Sequence, residues 1–159
     1  MFELEDGTKM VQSMSIFNYI VNRYGKDKGL IIDDPERDYQ GNCTVDMITD
    51  FIDLKLRPSL FKPEEEREAI WEGFLQKEYK ELMEHLARKL PENSPFYGGF
   101  KVSRHDIMIG TFFFTFFLSE GPKHRVTISQ KFIDQVPARV TKFINDYREQ
   151  FKEYIPSRP

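Results

Sequence analysis

Cysteine is almost absent from this chain: Cys43 stands alone. One thiol can close no internal disulfide, so the fold must rest on packing, and the usage fits a reducing compartment. Excess charge of one sign is missing too. A formal net charge of −3 leaves no basic footprint for nucleic acid or for an anionic membrane. Long apolar runs are missing: the longest, "IMIGTFFFTFFL" at 107–118, would span about 18 Å as a helix against a bilayer core of roughly 30 Å. Membrane insertion is therefore not expected. The histidines His85, His105 and His124 stand far apart in no metal-ligand pattern, so no metal is expected. No glycine-rich phosphate loop is present, since Gly98-Gly99 leads into the wrong kind of helix entry. The first twenty residues are polar and carry no signal-peptide pattern, which predicts a cytoplasmic protein.

What is there is ordinary core material. Hydrophobic residues make up 40% and charged residues 31% of 159, with 15 Phe and 7 Tyr, as in a soluble globule. Residues 1–11 read as a hairpin, "MFEL" and "KMV" flanking a two-residue Asp6-Gly7 turn. A helix follows, with Ile16, Phe17, Ile20, Val21 and Tyr24 at helical spacing, Ser13 as N-cap and Gly25 just past its end. Residues 26–42, rich in Gly, Asp and Lys, read as a linker. A long helix is expected from near Thr44, ending or kinking at Arg57-Pro58. Another is expected from Pro63 to Leu90, acidic at its start and basic at its end, with Ile70, Trp71, Phe74, Leu75, Leu82, Met83 and Leu86 on its buried face. Ser103 and Asp106 have capping-box spacing, bracketed by Val102 and Ile107 as a hydrophobic staple. The helix they open is apolar on nearly every side and should be buried all round. A short helix over 126–135 and a last one from Pro137 to Tyr154 complete the pattern. Met10, Met14 and Met47 read as core filler.

Two places could carry chemistry. Gln12-Ser13 stand at the mouth of the first helix, where unpaired N–H groups and the positive dipole end suit a carboxylate. Simple N-capping by Ser13 is the plainer explanation of the pair. Asp46, Asp50 and Asp53 recur at i, i+4 and i+7 on one side of the long helix. They form either a solvated face or the partners of cations or an amine ligand.

The order and spacing of these motifs resemble the glutathione transferase family. The family pattern "P-x-L-x-D-G … Q-S-x-x-I-x-x-Y-I" is met by Leu4, Asp6 and Gly7, then Gln12, Ser13 and Ile16, then Tyr19 and Ile20. The capping box in "GGFKVSRHDIMI" matches the family's second signature. "GNCTVDMITDFIDL" is similar to the sigma class, which includes prostaglandin D synthases. The resemblance implies a mainly α fold: a partial thioredoxin-like hairpin plus helix over 1–25, the linker at 26–42 and an all-helical domain over 43–159. It implies glutathione as substrate or ligand, with Gln12 and Ser13 on the γ-glutamyl carboxylate and Asp46 reaching the amino group of the ligand in a neighbouring subunit. Ser103 and Asp106 would be structural. The family's thiol-activating segment would lie before Met1, so no catalytic residue is assigned. The family's cis-proline position is held by Phe2; a cis bond there would cost roughly 3–4 kcal/mol, so a trans bond is expected. The sheet edge at residues 1–4 would be open to a protein partner or a second copy. The expected function is thus a shortened glutathione-transferase-like interaction subunit with a residual glutathione site. The alternative is a sigma-like transferase acting on electrophiles.

Overall fold

The computed structural model describes residues 1–118 and 130–157. It is mainly helical, with one small antiparallel hairpin. Strands β1 (Phe2–Glu3) and β2 (Lys9–Met10) pair in the register Phe2↔Met10 and Glu3↔Lys9. The turn is longer than the expected two residues. Leu4 N–H bonds Thr8 O and Gly7 N–H bonds Leu4 O, both at 2.9 Å, which closes a loop of Glu5, Asp6 and Gly7. Gly7 takes φ 84°, the left-handed position such a loop requires, and Asp6 Oδ1 accepts from Thr8 N–H.

Helix α1 (Ser13–Tyr24) buries Val21. It ends at Gly25, which is right-handed at φ −89° rather than left-handed. A Cβ there would lie 3.0 Å from Leu30 Cβ, so close packing excludes a side chain. Helix α2 (Pro35–Asp50) starts well before Thr44 and takes up much of the expected linker. Asp34 caps it by accepting from Arg37 N–H, Pro35 takes the first helical position, and Glu36 and Asp38 occupy the first turn. Those start signals outweigh Gly41 and Asn42 inside the helix. Gly41 is itself needed, since a Cβ would meet the His105 ring at 2.7 Å.

At Arg57-Pro58 the chain neither stops nor simply kinks. Phe51–Leu56 form a π-helical stretch and Arg57–Ser59 a final α turn. A proline in a helix lacks an N–H and collides with the carbonyl four residues back; the wider π turn opens the ladder just before Pro58. Ser59 ends this run. Its hydroxyl donates to Leu56 O and accepts from Trp71 Nε1 at 2.5 Å, both bonds buried.

The expected helix over 63–90 is two helices, α3 (Glu64–Gln76) and α4 (Glu78–Lys89), separated at Lys77, with φ −130° and ψ −83°. Neither Gly nor Pro sits at the break, so the local sequence gives no sign of it. Pro63 is the N-cap rather than the first helical residue. Helix α5 (Arg104–Phe116) has the expected capping box in full. It is not buried all round: Thr111 and Thr115, one turn apart, are exposed. Of the helix expected over 126–135, residues 130–134 are helical and Gln135 is a turn; His124 and residues 126–129 lie outside the described residues. Helix α6 (Ala138–Gln150) buries Val140, Phe143, Ile144 and Tyr147.

The core lies where α4, α5 and α6 meet the π stretch. Tyr79, Phe112, Phe113, Phe132 and Phe143 are almost fully buried. Edge-on ring contacts join them, such as Tyr79 to Phe132 at 4.7 Å and Phe112 to Phe117 at 5.1 Å, the geometry aromatic quadrupoles prefer. Met14 and Met47 are not core filler: each is more than a third exposed. Among the described residues no helix is long and apolar enough to cross a membrane.

Candidate functional site

Gln12 and Ser13 lie at the N-terminus of α1, both exposed. The N-cap is Gln12, not Ser13, and no side chain caps the helix. Ser13 is the first helical residue, where its hydroxyl does not stand in front of the second and third amides as a capping group must. Gln12 has φ 71° and ψ 110°, the one left-handed non-glycine among the described residues. Such a conformation costs of order 1–3 kcal/mol. Gln12 O accepts from Ile16 N–H at 3.0 Å. The three amides before Ile16 therefore form the open, positive end of the helix.

Asp46 lies on α2 and lines a cleft of about 270 Å³ between α1 and the α2–α5 pair, together with Met14, Phe17, Asn18, Asn42, Val45, Arg104, His105 and Met108. Gln12 and Ser13 do not line this cleft; Met14, beside Ser13, does. The three aspartates expected to act together separate. Asp53 pairs with Arg57 at 2.7 Å, and among the residues lining the cleft only Asp46 belongs to that trio.

The same side of α2 continues towards its N-terminus as a stripe of Asp38, Asn42 and Asp46, at i, i+4 and i+8, of which Asn42 and Asp46 line the cleft. Arg104 Nη2 donates to Asp38 Oδ1 and Oδ2 at 2.9 and 2.7 Å and to Asn42 Oδ1 at 3.3 Å. His105 Nε2 lies 3.2 Å from Asn42 Oδ1 and 3.7 Å from Asp38 Oδ1. As Asn42 Oδ1 is an acceptor, Nε2 carries the proton and Nδ1 is the bare nitrogen. His105 is 1% exposed, and its Nδ1 has no partner among the described residues. Burial, then the Arg104 charge, push its pKa down to about 4, with Asp38 pulling the other way. The stripe's spacing was present in the sequence. Arg104, hidden inside a capping-box motif, was not readable as its partner.

Ser103 and Asp106 are structural. Asp106 is completely buried and accepts from the N–H groups of Tyr97, Gly98 and Ser103 at 2.6, 3.0 and 2.8 Å, and from Ser103 Oγ at 2.6 Å. Burial pushes its carboxyl above the ordinary value, opposed first by the Ser103 hydroxyl and then by the three backbone donors. Among the described residues no group of His, Cys, Asp and Glu side chains could hold a metal ion.

Compared with models of protein families and with curated proteins, the chain matches none.

Proposed function

We propose that this is a glutathione-transferase-like protein of sigma type that holds the γ-glutamyl end of glutathione and associates with a partner. Gln12 and Ser13 take the carboxylate at the open end of α1. Asp46 takes the amino group of a ligand seated in a second copy. The observation that carries this reading is the left-handed Gln12 ahead of an uncapped helix whose first residue is an exposed serine. A hydroxyl serving only as a cap would close that end. None of the three residues activates a thiol, so the role assigned to them is binding. The outer edge of β1, at residues 1–4, is the place for a protein partner or a second copy, because among the described residues β1 pairs only with β2. Metal plays no part in this reading.

Calorimetric titration with glutathione tests it. Saturable binding that disappears in Ser13→Ala is expected; heats no larger than dilution for the parent protein would refute it. The accessible Asp46 beside the mouth of α1 also suits a second reading, a sigma-like transferase conjugating glutathione to electrophiles. Turnover of a chlorodinitrobenzene substrate by the purified protein selects it.

A further inference from the structure

We propose that the cleft between α1 and the α2–α5 pair is a binding site for a small organic ammonium ion with an apolar body, its cation seated on Asp46 of the same chain. The polar stripe on α2 offers three places in a row. Arg104 fills the first two by bonding Asp38 and Asn42, and His105 adds a ring N–H to Asn42. The third place, Asp46, has no ion pair or hydrogen bond among the described residues, yet it lines the cleft beside Asn42. Arg104 and His105 therefore engage the first two places, and only Asp46 is left without a partner among the described residues.

The walls choose the cation. Met14 and Phe17 from α1 face Val45 from α2 and Met108 from α5, one turn beyond Arg104. Two thioethers and an aromatic ring are poor ligands for hard metal ions, which take oxygen. They suit a soft organic cation, through cation–π and dispersion contacts. Asn18 from α1 adds a carboxamide able to bond the remaining ammonium protons. A volume of about 270 Å³ lies below the range of drug-sized pockets, so the ligand is a small amine. Asp46 also belongs to the proposed glutathione arrangement, but the cleft uses neither Gln12 nor Ser13. The two readings can therefore fail separately.

Phenethylamine is a suitable probe, with 2-phenylethanol as its uncharged counterpart, titrated into the full chain and followed by amide chemical shifts. Saturable shifts at Asn18, Asn42, Asp46 and Met108 are expected. Affinity should be at least about tenfold greater than for the alcohol and should fall about tenfold in Asp46→Asn, the effect of removing one charge-assisted contact. Asp46 is exposed, so that change leaves the packing intact, and the melting temperature verifies this. Ser13→Ala should leave amine binding unchanged whatever it does to glutathione. The proposal is overturned by shifts that do not saturate, by equal affinity for the alcohol, or by affinity indifferent to Asp46→Asn.

Discussion

Replacing Gly110 by alanine puts the packing of α5 on α6 to a direct test. A Cβ at Gly110 would lie 2.3 Å from both Cε2 and Cζ of Tyr147 and 2.6 Å from Cδ2. That is about 1 Å inside ordinary van der Waals contact. The ring has nowhere to retreat. It stacks on Phe114 at 5.6 Å and 27°, and lies against Phe143 at 6.0 Å and Phe151 at 4.5 Å. Overpacking a closed site costs roughly 1–3 kcal/mol or more, while alanine gains about 1 kcal/mol over glycine inside a helix. The clash should win by about 1–2 kcal/mol, lowering the melting temperature by roughly 2–8 °C for a chain of this size. Gly73, inside α3, supplies the control. A Cβ there meets nothing within 4 Å, so Gly73→Ala should stabilise by about 0.5–1 kcal/mol. In a Tyr147→Ala background, Gly110→Ala should change sign and become stabilising. Chemical denaturation of all four variants measures this. If Gly110→Ala and Gly73→Ala move stability the same way, the close approach of α5 and α6 at Tyr147 is wrong.

His105 should make the fold sensitive to acid. Its folded-state pKa lies near 4 against about 6.5 when unfolded. The unfolded chain therefore binds the proton first, and stability present above pH 6.5 is lost as pH falls towards 4, by about 3 kcal/mol in all. His105→Gln should flatten that slope in pH-dependent urea titrations; an unchanged slope would refute it. Tyr79→Phe should raise stability by about 1 kcal/mol, because the Tyr79 hydroxyl is buried with no partner among the described residues and such a group bears its desolvation cost uncompensated. A lower melting temperature in Tyr79→Phe would show that the hydroxyl is satisfied. Asp106→Ala should cost about 3–5 kcal/mol by leaving two buried amides, the half-buried Gly98 amide and the Ser103 hydroxyl without their acceptor, and a loss under 1 kcal/mol by denaturation would contradict that accounting.

Local signals read well where one residue type does one job. The presence of a hairpin turn at Asp6-Gly7 (though not its length), the Ser103–Asp106 box and the buried faces of α4 and α6 follow from spacing and side-chain chemistry. The signal for Pro35 was equally local, with Asp34 before it and Glu36 after, but Gly41 and Asn42 masked it. Gly41 is glycine because of His105, a contact between residues far apart in sequence. The break at Lys77 and the left-handed Gln12 leave no trace in residue type: neither is a glycine, a proline or an asparagine. At the candidate site, Asp46 was visible as a carboxylate, yet its neighbours were misassigned. Its companions on the helix are Asn42 and Asp38, towards the N-terminus of α2, because α5 delivers Arg104 there, while Asp53 pairs with Arg57.

The π stretch between Phe51 and Leu56 has a mechanical meaning. Upstream, α2 is held where Arg37 bonds Tyr97 O and Arg104 grips Asp38; downstream, Ser59 is held by Trp71. A rod fixed at both ends must have the right length, and this one carries slightly too much chain. The wide turn stores the surplus, much as an expansion joint does in a rail, so the helix can gain or lose a residue there without shifting either anchor. Deletion of the exposed Leu54 should therefore be better tolerated than a deletion elsewhere in this helix, and best of all with Pro58→Ala, since a tightened α turn would bring back the proline's collision.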